Sequence, residues 1–181
     1  MSNPVPDALP ATADALISRI RGAVLSRQRF LITSHARPDG DSIGSQLAMA
    51  FALDALGKQS RIINADRAPE HYYEFPGLNR VEIAAQVPAD ADADAVIVME
   101  CGDLDRTGVR GFEGRFIINI DHHAGNRMYG AINWFDESVE RGDRIERILN
   151  EINAERGDAA EGDSRSDSTA PEPGSKSQPD E

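Results

Sequence analysis

Four short runs constrain this chain more than any other feature: "RFLIT" (Arg29 to Thr33), "SRIIN" (Ser60 to Asn64), "AVIVME" (Ala95 to Glu100) and "RFIINI" (Arg115 to Ile120). Each is too short for a helix, and the apolar residues inside each are continuous rather than alternating with polar ones. Strands covered on both faces have this pattern, and they belong to parallel sheets. Between the first two runs lies "SIGSQLAMAFALDAL", Ser42 to Leu56, apolar almost all round, with Asp41 to start a helix and Gly57 to stop it. Strand, helix and strand with crossovers of this length predict an α/β fold, a mostly parallel sheet flanked by helices. "GAINWF", Gly130 to Phe135, reads as a short edge strand. From Ala13 a further helix is expected, with Thr12 as N-cap and Leu16, Ile17, Ile20 and Val24 on one face.

The 181 residues suffice for one ordinary domain with extensions. Residues 1–11 read as an irregular arm, and 12–138 hold the strands and helices. Residues 139–156 form an amphipathic helix through Ile145, Ile148, Leu149 and Ile152. From Gly157 the chain turns to Ser, Asp, Pro and Gly, with too little apolar surface to offset ordering entropy, and a disordered acidic tail is expected at 157–181. That tail has seven acidic and two basic residues, a net −5 of the chain's −12. The remaining −7 leaves no broad basic surface, which argues against a groove for long nucleic acid. No apolar run approaches the roughly 20 residues of a membrane helix, and no signal peptide is expected at the N-terminus. The single cysteine, Cys101, excludes an intrachain disulfide and fits a reducing, cytoplasmic setting.

In parallel sheets ligands bind at the carboxyl ends of the strands, and the chemically able residues fall there. After the first strand comes "SHARPDGDSIGS", with His35, Asp39 and Asp41. At the end of the third come Glu100 and Asp103 in "MECGDLDRTG", and after the fourth comes "DHH", Asp121, His122 and His123. Singly, each has a plain structural reading: a turn, a helix cap, a loop residue. Together, carboxylates gathered in one cleft would repel one another unless cations sat among them. Imidazole and carboxylate without thiolate suit Mn²⁺, Fe²⁺, Co²⁺ or Zn²⁺, and a pair of ions can activate water and hold a phosphoryl oxygen. The helix N-terminus at Ser42 adds N–H groups directed to the same place.

"SHARPDGDSIGS" followed by "DHH" at a later strand end resembles the DHH phosphoesterases, and within them the oligoribonuclease and phosphoadenosine-phosphate phosphatase group, which includes exopolyphosphatase-related proteins. The resemblance covers about residues 12 to 138. It implies hydrolysis of small nucleotides by two Mn²⁺ ions: short oligoribonucleotides, 3′-phosphoadenosine 5′-phosphate or linear dinucleotides. His35, Asp39, Asp41 and His122 would be metal ligands, together with Glu100 or Asp103 where the family usually has Asp. His123 would face the scissile phosphate, with Asp121 supporting the loop. The resemblance also implies a further strand-end aspartate and a second domain that closes over substrate. Neither has a match after Glu137, so a truncated or frame-shifted product is expected, with one metal held weakly. A homodimer is compatible with this reading. The alternative is a catalytically weak remnant that binds metal, nucleotide or a protein partner.

Other candidates are weaker. Asp90, Asp92 and Asp94 begin like a calcium loop, but Ala95 and Cys101 stand where Gly and Glu are required. Cys101 lacks a nucleophile motif and reads as a small strand-end residue, and Trp134 reads as structural. Arg106 could touch a phosphate or pair with an acid. "HYYEF", His71 to Phe75, could stack a base beside the cleft, although packing on the sheet is the favoured reading.

Overall fold

The computed structural model describes residues 12–135 and, beyond them, Asn150 alone, which is helical. The arm and the acidic tail expected from the sequence lie outside the described residues, as does the 139–156 helix apart from Asn150.

The chain runs α1 (Ala13–Leu25), β1 (Arg29–Thr33), α2 (Gly40–Ala55), β2 (Gln59–Asn64), β3 (Val81–Ile83), β4 (Ala95–Met99), β5 (Ile117–Asp121) and β6 (Ile132–Phe135). All six strands are parallel, in the order β3-β2-β1-β4-β5-β6. The order reverses beside β1: the chain steps outward to β2 and β3, then crosses back to lay β4 against β1's other edge. Ile32 sits opposite Ile62 on one side and Ile97 on the other. The four continuous apolar runs are the four inner strands, and "GAINWF" supplies the edge strand β6. The other edge, β3, is three residues long and has no pattern to announce it.

Alternation along each strand divides the core. Phe30, Ile32, Ile97, Met99, Ile118, Ile120 and Trp134 face α1 and α2, which contribute Ile17, Ile20, Val24, Leu47, Met49 and Leu53. Leu31, Ile63, Val96, Val98 and Ile117 face the other way. Among the described residues that second face is covered by irregular chain through Ala91, Val109 and Phe112 rather than by helices. Among the described residues the sheet is thus flanked by α-helices on one side only.

Thr12 caps α1 as expected, its hydroxyl accepting from the Ala15 N–H at 3.3 Å. The start of α2 differs from expectation. Asp39, not Asp41, is the N-cap: its backbone is extended (φ −96°, ψ −177°) and its Oδ1 accepts from the Ser42 N–H at 2.9 Å. Either aspartate could cap, but Gly40 can enter the helix because it has no side chain to strike Tyr72. A Cβ there would lie 2.8 Å from the Tyr72 hydroxyl oxygen. Asp41 falls in the first turn, where its charge faces the positive end of the helix dipole. The helix ends before Gly57 at φ 69°, as the sequence indicates.

At the amino ends of the strands, the three aspartates of "ADADADA" are each committed to an arginine. Asp90 pairs with Arg61 at 3.3 Å, Asp92 with Arg29, and Asp94 with Arg29 at 2.8 Å. Asp94 also accepts from the backbone N–H groups of Gln28 and Arg29 at 3.0 and 2.9 Å, stitching the β3–β4 connection to the start of β1. These are structural clamps.

Candidate functional site

The strand order reverses between β1 and β4, and a crevice at such a point lies outside the carboxyl ends of the strands. The loops leaving β1, β4 and β5 meet there. Glu100 follows the last residue of β4, Asp121 ends β5, and His122 and His123 come next. Ligand-capable atoms of these four residues lie within 4.8 Å of one another. His122 Nδ1 is 2.6 Å from Glu100 Oε2, the two imidazoles stack at 4.5 Å between centroids, and His123 Nδ1 is 4.0 Å from the same Glu100 oxygen.

Glu100 is the unusual member. It is 3% exposed, and its φ of 52° puts a glutamate in the left-handed region that costs most side chains about a kcal/mol or more. That backbone turn aims the carboxylate at the histidines instead of continuing the strand. Burying a carboxylate is costly unless charge or hydrogen bonds compensate; His122 supplies one such partner, and a cation among the same atoms would supply another.

Asp121 is fully buried and well satisfied. Its Oδ1 accepts from the His123 N–H at 3.2 Å and meets His123 Nδ1 at 2.7 Å, while its Oδ2 accepts from Asn126 Nδ2 at 2.6 Å. With Nδ1–H donated to the carboxylate, His123 retains Nε2 for other work.

The first motif arrives from β1. His35, buried, has its Nδ1 2.9 Å from the Ala36 carbonyl oxygen. A carbonyl only accepts, so Nδ1 carries the proton and Nε2 of the neutral ring holds the lone pair. That Nε2 lies 4.0 Å from Asp39 Oδ1, and the His35 ring stands edge-on to His123 at 6.0 Å. Partial burial pushes the Asp39 carboxyl upward, but the Ser42 N–H and the neighbouring His35 and His123 outweigh it and hold it below its ordinary value. Ala36 N–H donates to the Arg106 carbonyl at 2.7 Å, fastening the first loop to the third.

The structure therefore brings His35, Asp39, Glu100, Asp121, His122 and His123 to one end of the sheet. Of the two candidate acids in "MECGDLDRTG", Glu100 and Asp103, it is Glu100 that joins the cluster. Asp103 turns away, pairs with Arg127 at 2.9 Å and caps the 3₁₀ turn Leu104–Thr107. Asp41 lies within α2, outside the four-residue cluster. Arg106 is exposed on the 3₁₀ turn. Cys101 is buried with its thiol directed to the Asp103 carbonyl at 3.0 Å; burial pushes it up to about 11, so it is no nucleophile.

Three supporting residues escaped the sequence reading. Asn126 Nδ2 bridges Asp121 and Asn119 Oδ1 (2.7 Å), and its Oδ1 accepts from the Met128 N–H at 2.7 Å. Asn119 Nδ2 donates to the Cys101 carbonyl at 3.0 Å and to the Tyr129 hydroxyl at 2.9 Å, which in turn donates to the same carbonyl at 2.8 Å. This network locks the β5 loop to the β4 loop. Asn119 is the lone polar residue inside "RFIINI", a buried amide that had to have partners; that was its signal.

Known proteins resemble this chain in sequence and in fold. The bifunctional oligoribonuclease and PAP phosphatase NrnA of Thermus thermophilus is 34% identical over 107 residues, 59% of this chain and 32% of that protein. The chain thus spans about a third of that relative's length. The crystal structure of an exopolyphosphatase-related protein from Bacteroides fragilis superposes with a TM-score of 0.67 at 23% identity, covering 80% of this chain and 46% of that one, a likeness of fold. Residues 29–155 match the family model described as the DHH family, N-terminal domain. With more than half its length inside that match, and with the "DHH" triplet at the end of β5 built into the cluster, the chain belongs to the DHH family.

Proposed function

We propose that this chain hydrolyses phosphoester bonds in small nucleotides, with divalent cations, Mn²⁺ foremost, held at the carboxyl ends of β1, β4 and β5. One observation carries the reading: two motifs about 85 residues apart in the chain converge, the His35 ring standing 6.0 Å from His123 of the Glu100, Asp121, His122 and His123 cluster, with Asp39 Oδ1 4.0 Å from His35 Nε2. The donor set fits such an ion. It is imidazole and carboxylate without thiolate, it includes a buried glutamate bent into the left-handed region to face the cluster, and His35 Nδ1 is tied to a carbonyl, leaving Nε2 as a donor atom.

His35, Asp39, Glu100 and His122 would hold the cations, with Asp41 near enough in sequence to assist. When bound, such ions lower the pKa of water and offset charge on the phosphoryl oxygens. The chain's own residues do the rest. Asp121 fixes the orientation of His123 and leaves its Nε2 for an oxygen of the scissile phosphate. The N-terminus of α2 offers the positive end of its dipole to the same anion. In the reaction the water oxygen forms a bond to phosphorus, the ester P–O bond breaks, and the departing oxygen takes up a proton. The NrnA relative, named for oligoribonucleotides and PAP, supports small nucleotides as the substrate class. Arg106, exposed beside the first loop, is available to a substrate phosphate. A cytoplasmic site of action and a homodimeric state are part of the same proposal.

Turnover of a dinucleotide and of a model phosphodiester with added Mn²⁺, measured alongside Asp39→Ala and His122→Ala, tests it. Mn²⁺-dependent hydrolysis lost by two or more orders of magnitude in both variants supports the reading. Thermal stabilisation by Mn²⁺ without any hydrolysis by the unaltered chain overturns it in favour of a binding protein.

A further inference from the structure

Away from the cluster, the 67–83 segment lines an open cavity of about 390 Å³ at the β3 edge of the sheet. This lies within the range of small-molecule sites, about 300–1,000 Å³. Arg67, Tyr73 and Asn79 line it together with the aliphatic side chains of Leu78, Val81 and Ile83. Tyr73 is 56% exposed and Ile83 42%, an aromatic ring and an aliphatic surface left to solvent in a chain of net charge −12. Arg29, Arg61, Arg80 and Arg127 each face a carboxylate. Arg67 makes no ion pair among the described residues, and the nearby Asp66 carboxylate is already accepting from the Arg37 N–H at 2.8 Å.

Part of the cavity lies at the same carboxyl end of the sheet as the cluster. Arg67 lies on the loop leaving the carboxyl end of β2, and Ile83 is the carboxyl end of β3. Tyr72 packs against the start of α2 at Gly40, one residue from Asp39. Tyr73, the next residue, lines the cavity. "HYYEF" thus divides: Tyr72 and Phe75 pack together at 5.2 Å with Tyr72 against the core, and Tyr73 is turned outward.

We propose that this cavity is a nucleotide subsite, with the base stacked on Tyr73 over the aliphatic wall, its edge meeting the Asn79 amide, and a phosphate drawn to Arg67. The proposal rests on the function above only for its role: the subsite would hold the nucleotide next to the phosphate attacked at the metal centre. A ring face accepts any base, so the subsite selects for a base and a charge rather than for sequence.

The test is metal-free binding of 5′-AMP to the full chain, followed by calorimetry and by amide chemical shifts, with inorganic phosphate as the comparison ligand. Tyr73→Ala should weaken AMP about ten-fold or more while leaving phosphate alone; Arg67→Gln should weaken both. Leu25→Ala, an exposed apolar side chain at the opposite end of the sheet, should bind AMP as the unaltered chain does. AMP that binds both cavity variants with unchanged affinity, shifts only residues around His35 and His122, or fails to bind at millimolar concentration overturns the proposal. AMP bound in the cavity of a chain that hydrolyses nothing with Mn²⁺ sinks the phosphoesterase reading and leaves the subsite standing.

Discussion

Asn126→Ala probes the support of the metal centre without touching any group proposed to hold a cation. Asn126 makes three side-chain hydrogen bonds: Nδ2 to Asp121 Oδ2 at 2.6 Å, Nδ2 to Asn119 Oδ1 at 2.7 Å, and Oδ1 from the Met128 N–H at 2.7 Å. The first goes to a fully buried carboxylate and is of the charge-assisted kind, worth about 1.5–3 kcal/mol; the other two are worth about 0.5–1.5 kcal/mol each. Asn126 is only half-buried, so water replaces part of what is lost. A destabilisation of about 2–3 kcal/mol follows, or roughly 6–10 °C in Tm for a chain of this size. The third bond also holds Met128 at φ 51°, so its loss frees the β5–β6 loop. Urea unfolding followed by circular dichroism reads the change, with the slope m unaltered if only the folded state is affected. In turnover assays kcat should fall more than KM rises, because Asp121 loses the anchor on its second oxygen and His123 loses its register. A stability loss below about 0.5 kcal/mol, or a variant with unaltered kcat, would refute the reasoning that this amide holds the catalytic loop.

Two further predictions follow from groups elsewhere in the fold. The Asp94 carboxyl is held far below the usual carboxylate range, chiefly by the Arg29 guanidinium and then by the backbone N–H groups of Arg29 and Gln28. A depressed folded-state value contributes stability above the unfolded pKa of about 3.9 and loses it as pH falls below that. Asp94→Asn should therefore destabilise the chain at pH 7 and flatten its acid-denaturation curve below about pH 5; an unchanged slope between pH 5 and 2 counts against the clamp. Cys101, buried and with its thiol pushed up to about 11, should react with an aromatic disulfide reagent only as fast as the chain unfolds. Modification of the folded chain within seconds would contradict its placement.

The inner strands were legible because a strand covered on both faces has to be apolar at every position, and β1, β4 and β5 are nearly so. The residues of the strand-end cluster were legible because polar side chains stood at the ends of those runs. What escaped was set by contacts across space. β3, "VEI", is too short to carry a pattern, and it exists because β2 offers it an edge: Ile62 pairs Val81 and Asn64 pairs Ile83. Asp39 rather than Asp41 caps α2 because its backbone is the extended one and its Oδ1 reaches the Ser42 N–H, and Tyr72, thirty-odd residues away, lies where a Cβ on the intervening Gly40 would be. The choice of Glu100 over Asp103 depends on a backbone reversal at Glu100 and on Arg127, which holds Asp103 aside.

Local composition alone thus determined that this chain builds a parallel sheet, where five of its six strands lie, and which strand ends carry imidazole and carboxylate groups, because burial and polarity are written residue by residue. Which of those groups meet was decided by the tertiary structure. Strand order brings the ends of β1, β4 and β5 side by side; a hydrogen-bonded network of Asn119, Asn126 and Tyr129 ties the β5 loop to the β4 loop, and the Ala36 N–H ties the β1 loop to the Arg106 carbonyl. Adjacency in a sheet depends on the path of the chain between strands, and periodicity within a strand carries no record of that path.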